Sequence, residues 1–103
     1  MSYNFTFTDD LGAIFKQIET ERGKQDREHG GPDHDDLHHY NDWTAILVRH
    51  LGLAAGDEAE VDEARWRKQM IRIAALACAA VESHDRREER KRTAGHHKEG
   101  SGF

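Results

Sequence analysis

A short stretch of the chain gathers the side chains best suited to binding a metal or moving protons. Between positions 29 and 39 it carries His29, Asp33, His34, Asp35, Asp36, His38 and His39. Three residues separate His34 from His38, a spacing found among zinc ligands, and aspartate oxygens ligate zinc, manganese or magnesium. The pattern makes this stretch a candidate metal site. Its candidate ligands are His34, Asp35, Asp36 and His38.

The same stretch has a catalytic and a structural interpretation. In the catalytic one, a metal held by Asp33 and its neighbours polarises a phosphate while a histidine acts as general base near neutral pH. In the structural one, Asp35 or Asp36 accepts hydrogen bonds from backbone N–H groups or from Arg22. No cysteine or Glu-x-x-His helix completes a metal cage. The sequence leaves the three interpretations open.

The element that precedes this stretch is a predicted helix that starts at Thr8 or Asp9. Its apolar side chains fall on one side at helical spacing, namely Leu11, Ile14, Phe15 and Ile18. The same line continues through Arg22 and Gln25. If this part of the helix is buried, Arg22 needs an acidic partner.

A loop over residues 26–40 is predicted next, because Gly30, Gly31 and Pro32 stop a helix. Asn41 is the predicted cap of a second helix, which ends near Gly56. One face of this helix is formed by Trp43, Ile46, Leu47, His50 and Ala54. The pattern indicates an amphipathic, buried helix.

The third predicted helix is long. Asp57 and Glu60 form a capping box at its start, and helical periodicity continues to Arg92. Its apolar residues form two stripes, one of Met70, Ile73, Ala74, Ala77 and Val81 and one of Ile71, Ala75 and Cys78. Two alanine-rich stripes are typical of a central bundle helix or a subunit contact.

These patterns predict an all-α fold, a helical bundle of three main helices whose core is completed by homo-oligomerisation. We assign residues 1–8 to an extended arm, 9–92 to the bundle domain and 93–103 to a flexible tail. The arm is suggested by aromatic residues that alternate with polar ones.

The charge balance limits the partners that this chain can bind. It has 20 acidic and 15 basic residues and a net charge of -5, so general nucleic-acid binding is disfavoured. A basic cluster spans 86–92, but interleaved acids favour a solvated helix face. Neither a signal peptide nor a membrane-spanning run is apparent, and we expect a cytoplasmic protein without a membrane partner.

Three segments of the chain together resemble small phage and prophage proteins of the MazG-like all-α nucleotide pyrophosphohydrolases. They are Glu21-Arg22-Gly23-Lys24-Gln25, Asp42-Trp43-Thr44-Ala45-Ile46-Leu47, and the alanine-rich Ile71–Ala77 followed by Glu82-Ser83-His84-Asp85-Arg86. In that group the first segment ends a helix, the second opens one, and the third ends near an acid–arginine pair. The resemblance covers roughly residues 11 to 87 and implies a MazG-like bundle.

The family holds magnesium with acids in a Glu-Glu-x-x-Glu set and a Glu-x-x-Asp set on two helices. Aligned on the shared segments, the corresponding positions here are Arg49, His50, Leu53, Gln69 and Arg72. The resemblance therefore implies a scaffold that has lost its metal site. Cations at these positions attract an anion directly. With Arg22, the predicted ligand-binding residues are Arg49, His50 and Arg72.

We expect a phage-type, MazG-like protein that binds a nucleotide or a host protein and has lost metal-dependent pyrophosphohydrolase activity. One alternative is a nucleoside triphosphate pyrophosphohydrolase that uses the histidine and aspartate stretch with magnesium, manganese or zinc. Another is a nucleic-acid accessory factor that acts through residues 86–92. We assign no cofactor to the binding protein that we expect.

Overall fold

The structure is a computed structural model, which describes residues 9–55 and 62–100. All elements in these two ranges are helices, so the all-α prediction is confirmed. They are α1 (Asp9–His29), α2 (Gly31–Asp35), α3 (Tyr40–Ala55) and α4 (Glu63–Gly100). None of the described helices is long and apolar enough to cross a membrane. The predicted arm and the predicted caps at Gly56 and Asp57 lie outside the described residues.

Helix α4 is the centre of the bundle. It contacts α1, α2 and α3, whereas α1 and α3 make no direct contact within the described residues. The side chains of α4 that lie between α1 and α3 are small. Ala75 is fully buried and Ala79 is nearly so. Small side chains at a helix crossing let the two axes approach closely. A groove between α1 and α3, with α4 as its floor, follows from this arrangement.

The buried face of α4 differs from the two predicted stripes. Ala75, Ala79 and Ser83 follow one another at intervals of four residues, and all three are buried. By contrast, Val81 is 59% exposed and Cys78 is also exposed. Pattern analysis favoured the larger side chains for the core, but a helix that three others contact turns its smallest face to them. The apolar core is accordingly small.

The chain reverses at the junction of α1 and α2, where the predicted loop over 26–40 is mostly helical. Helix α1 continues to His29, and only Gly30 separates it from α2. Gly30 and Gly31 have φ angles of 98° and 69°, a left-handed conformation that glycine adopts without strain. Pro32 lies in the first turn of α2, where its missing N–H is not needed.

The starts of α3 and α4 are fixed by aspartates. Helix α3 begins one residue before the predicted cap Asn41, because the Asp42 carboxylate accepts a hydrogen bond of 2.9 Å from the backbone N–H of His39. This is the reciprocal half of a capping box. At the start of α4, the Asp62 carboxylate accepts a bond of 3.2 Å from the N–H of Arg65.

Helix α4 extends past the point where we predicted a flexible tail. Its 38 residues correspond to a length of about 57 Å. Beyond Asp85, side chains one helical turn apart form ion pairs, including Lys91 with Glu88. The Thr93 hydroxyl also donates to the backbone carbonyl of Glu89 at 2.9 Å. Isolated glycines after Thr93 weaken a helix without terminating it.

Candidate functional site

A cavity of about 220 Å³ lies in the groove between α1 and α3. Each of the four helices lines it, with Ala79 and Leu76 of α4 at the floor. The polar and aromatic lining residues are Arg22, Gln25, His29, His34, Asp35, His38, Trp43, Arg49 and His50. The histidine and aspartate stretch thus forms one wall of this cavity.

A second cavity of about 180 Å³ adjoins the first and shares Gln25, His29 and His50 with it. Arg72 and Lys24 line this second cavity. We call the two cavities together the α1–α3 cleft. All four predicted ligand-binding residues line it: Arg22, Arg49, His50 and Arg72.

Buried polar atoms without a partner are concentrated in this cleft. Among the described residues, six buried side-chain nitrogen or oxygen atoms have no hydrogen-bond partner in the protein. Five of them belong to residues that line the first cavity: Arg22 Nε, Gln25 Oε1, Asp35 Oδ2, Trp43 Nε1 and His50 Nδ1. Each costs about 1–3 kcal/mol if it stays unpaired. Because all five residues line one cavity, a polar occupant of that cavity, an ordered water or a ligand, would satisfy these atoms once their side chains turn towards it.

The two α1 members of this group are held rigidly by their other atoms. Arg22 donates to Asp26 at 3.1 Å and to Glu82 at 3.0 Å, which supplies the acidic partners that its burial was predicted to need. Gln25 Nε2 donates to the Glu21 carboxylate and to the backbone carbonyl of Arg72, both at 3.3 Å. Because both of these partners only accept, the amide of Gln25 must turn its oxygen the other way.

A row of aromatic rings lines the cleft from α1 to α3. His29 stacks on His34 with ring centroids 6.2 Å apart, and His34 meets His38 edge to face at 5.3 Å. The row ends at Trp43, whose ring lies 5.1 Å from that of His38. Trp43 is buried whereas His29 and His34 are exposed, so the Trp43 end of the row is the fixed surface against which a flat ligand can pack.

The basic side of the cleft is centred on His50. Burial lowers the pKa of His50, and the positive charges of Arg72 and Arg49 lower it further. The guanidinium groups of Arg49 and Arg72 therefore both raise the positive potential at the ring of His50. Arg72 lies 3.8 Å from the Glu21 carboxylate, whereas Arg49 makes no ion pair within the described part of the chain. An anion at this place would gain from both arginines.

Asp35 is the acidic residue that lines the first cavity. Its residue is 8% exposed, and burial raises the pKa of its carboxyl group, although the charge of Arg22 acts in the opposite direction. The backbone carbonyl of Asp35 accepts from the N–H of His38 at 3.1 Å and lies 3.4 Å from the Ser83 hydroxyl oxygen. These contacts hold Asp35 in place while one carboxyl oxygen remains unpartnered.

Asp36 has a different role from its neighbour. Its carboxylate accepts hydrogen bonds from Arg86 at 2.8 Å, from Arg90 at 2.8 Å and from Ser83 at 2.9 Å. The bonds from Arg86 are the main reason that the pKa of Asp36 lies far below its ordinary range. We call Asp36, Ser83, Arg86 and Arg90 the Asp36 clamp. It fastens the end of α2 to α4.

The structure does not bring the predicted metal ligands together as a set. Asp36 uses its oxygens in the clamp, and the ring of His34 packs against that of His38. Within residues 9–55 and 62–94, no three His, Cys, Asp or Glu side chains are grouped so that they could hold a metal ion. Of the three interpretations of this stretch, the structural one describes Asp36, with arginines of α4 as donors in place of Arg22.

Sequence reasoning missed the role of the basic segment in α4. Arg87 donates to the backbone carbonyls of Asp36 at 3.2 Å and of His38 at 2.9 Å, and it lies 3.0 Å from the ring of His39. Together with the Asp36 clamp, these bonds give partners to the arginines of the basic segment that lie nearest the bundle. The available signal was the acid-rich stretch itself, because isolated aspartates near a bundle need cationic partners.

The magnesium site that the MazG resemblance implies is not matched by the residues at the corresponding positions. Magnesium requires oxygen ligands, usually carboxylates. Arg49, His50 and Arg72 supply nitrogen and positive charge, and their charges already disfavour a proton on His50. No protein-family model matches the sequence, and comparisons with curated proteins and with solved structures find no match either.

Proposed function

We propose that this protein binds a nucleotide in the α1–α3 cleft, on a MazG-like scaffold of phage type that has lost metal-dependent hydrolysis. The observation that carries the proposal is a set of five cavity-lining residues with buried polar atoms that lack a partner in the described part of the chain, beside an arginine that has no ion pair there. A nucleotide combines the two properties that this cleft would satisfy. It has a flat polar ring and an anionic phosphate.

The phosphate would occupy the basic side of the cleft. Arg49 and Arg72 flank His50. The second cavity is also lined by the carboxylates of Glu21 and Glu28, which lie 3.8 Å from Arg72 and 4.0 Å from Lys24, so phosphate would have to replace them as the partners of these two cations. Arg49, Arg72 and Lys24 would then bind phosphate oxygens directly, without a bridging metal. The ring would enter the first cavity, where the aromatic row and the unpartnered atoms lie. A concave site of this size favours a small ligand over a host protein.

The proposal is tested by titration calorimetry with nucleoside mono- and triphosphates, in magnesium and in chelator. We expect binding that the chelator leaves unchanged and that weakens as salt rises, because the phosphate contacts are electrostatic. Arg49→Gln should weaken binding about tenfold. The matched control is Arg65→Gln, which removes an exposed arginine of α4 that does not line the cleft.

Two results would overturn the proposal. One is the absence of binding by any of these nucleotides. The other is turnover, measured as phosphate or pyrophosphate released in magnesium or manganese and absent in chelator. Turnover would favour the alternative hydrolase, since a catalytic metal must then be held by residues other than those proposed to bind phosphate.

A further inference from the structure

We infer that the first cavity of the cleft selects its ligand by the hydrogen-bonding edge of a flat nitrogen heterocycle, and that Gln25 and Trp43 are the residues that determine specificity, with Asp35 beside them. This inference rests on the proposed function. It goes further by naming the part of the ligand that is recognised, the groups that recognise it and the kind of ring edge that they require.

Each of the unpartnered atoms of Trp43 and Gln25 can play only one role in a hydrogen bond, as donor or as acceptor. The indole nitrogen of Trp43 can only donate, and it is buried without an acceptor. Gln25 must turn its carbonyl oxygen away from Glu21, because its amide nitrogen already donates there and to α4. The oxygen is buried and has no donor. The two residues therefore require a ligand edge that carries both an acceptor and a donor.

These atoms are fixed by burial. Gln25 and Trp43 are each 7% exposed and Asp35 is 8% exposed, so side-chain motion does not readily supply alternative partners. Asp35 adds a further polar oxygen to the same cavity. Arg22 contributes a donor, since its Nε–H is also unpartnered while its other nitrogens are bound to Asp26 and Glu82.

The shape of the cavity favours a ring over an aliphatic group. Its wall is the row of His29, His34, His38 and Trp43, while Ile46 and Leu76 supply apolar surface. Drug-sized ligands occupy pockets of about 300–1,000 Å³. A cavity of about 220 Å³ is smaller and fits a single ring system, with charged substituents extending into the adjoining cavity. Stacking on aromatic side chains is favourable for any such ring.

The test compares AMP, GMP, CMP and UMP with ribose 5-phosphate, which has the same phosphate and no ring. Affinities are measured by titration calorimetry on wild type, Trp43→Phe and Gln25→Leu. Trp43→Phe keeps the aromatic surface but removes the donor, and Gln25→Leu removes the acceptor at similar volume. Each variant has a matched control. Trp66→Phe changes an exposed tryptophan, and Gln69→Leu changes a buried glutamine outside the cleft whose oxygen is also unpartnered.

We expect at least one nucleotide to bind about tenfold more tightly than the others and than ribose 5-phosphate. Trp43→Phe and Gln25→Leu should each abolish most of that preference, while both controls retain it. Trp43→Phe should also leave ribose 5-phosphate binding unaffected, because Trp43 lines the first cavity and not the second. Thermal unfolding of all four variants verifies that they are folded. Gln69→Leu also reports what removing a buried glutamine does by itself.

The inference and the proposed function fail in different ways. Equal affinity for all nucleotides and for ribose 5-phosphate would overturn the inference alone, because phosphate binding would then be intact. A preference that survives Trp43→Phe and Gln25→Leu, or that Gln69→Leu weakens equally, would also overturn it. Absence of binding by every compound would overturn both.

Discussion

Two adjacent aspartates in this chain have opposite electrostatic surroundings. Asp35 faces a cavity in which burial disfavours its charge, whereas Asp36 is surrounded by two arginines and a serine. Their pKa values are accordingly shifted in opposite directions, one raised and the other lowered. Such separation indicates that Asp36 stabilises the fold while Asp35 reduces its stability, as expected for a residue kept for its site.

Asp35→Asn should stabilise the protein at neutral pH, by about 1 kcal/mol. Because the folded pKa of Asp35 is raised, wild type loses stability as pH rises from the ordinary value of 3.8 through the folded pKa. Asparagine has the same shape and does not ionise. The gain should therefore be present at neutral pH and vanish below about pH 3.8. Chemical unfolding of both proteins at several pH values measures it.

The control for this prediction is Asp33→Asn, which changes an exposed aspartate of the same helix. It should alter stability little at any pH. If Asp35→Asn proved destabilising at neutral pH, the Asp35 charge would have to be stabilised by Arg22 more than it is disfavoured by burial.

At the scale of elements, the position of α2 depends on contacts with a helix that is distant in sequence. Helix α2 has five residues, too few to be stable alone, and glycines in a left-handed conformation precede it. Its far end is held by the Asp36 clamp and by Arg87. The wall of the cavity that contains His34 and Asp35 therefore depends on residues about 50 positions later.

Asp36→Asn should destabilise the protein by about 2 kcal/mol at neutral pH, because it leaves Arg86 and Arg90 without their shared carboxylate. The folded pKa of Asp36 is lowered, so this stabilisation is present above its ordinary value of 3.8 and is lost as pH falls below it. Hydrogen exchange should accelerate most over residues 31–39.

The comparison for the clamp is Arg86→Gln against Arg92→Gln. Arg92 pairs with Glu89 at the surface of the same helix, where an ion pair contributes little. Faster exchange in α2 after Arg86→Gln but not after Arg92→Gln would support the clamp. Equal effects would mean that these arginines act only through the stability of α4.

The helices themselves were largely predictable from the sequence, because amphipathic spacing and capping residues act locally. The line from Leu11 to Gln25 was predicted to lie on one face of the first helix; Gln25 is buried, but Leu11 and Phe15 are 39% and 42% exposed. The loop predicted over 26–40 was too long, since α1 continues to His29 and a helix of five residues such as α2 has no periodicity to detect. The Asp36 clamp was not predictable, because it depends on how α2 is placed against α4.

The cleft was predictable only in part. Arg49, His50 and Arg72 were selected through the family resemblance, and the structure places them on adjoining cavities. The roles of Gln25, Asp35 and Trp43 could not be inferred, because an unpartnered atom is a property of three-dimensional packing. Residue types alone do not reveal which polar groups the fold leaves unsatisfied.

At the scale of the whole molecule, a single chain buries little apolar surface. The buried apolar residues are Trp43, Ala75 and Ala79, while Val48 and Leu51 are 60% and 51% exposed. The radius of gyration is 18.1 Å, compared with about 13 Å for a compact domain of 100 residues. The homo-oligomer predicted from the sequence stays a prediction, and the exposed apolar side chains of α3 are where it can be tested.

We expect the protein to form a homo-oligomer through the face of α3 that carries Tyr40, Val48 and Leu51. The double change Val48→Glu and Leu51→Glu should yield monomers in light scattering and lower stability, because charges replace buried apolar groups. Leu53→Glu is the control, since Leu53 lies on another side of α3 and is 45% exposed. A monomeric wild type, or dissociation by Leu53→Glu to the same extent, would contradict this expectation.

The central position of α4 has a consequence for the growing chain during synthesis. Helices α1 and α3 make no contact with each other in the described residues, and each packs on a helix that begins at Glu63. Until that last helix leaves the ribosome, the apolar faces of the earlier ones have nothing to cover them. We therefore expect this part of the nascent chain to stay unfolded, and open to chaperones and proteases, until α4 has emerged.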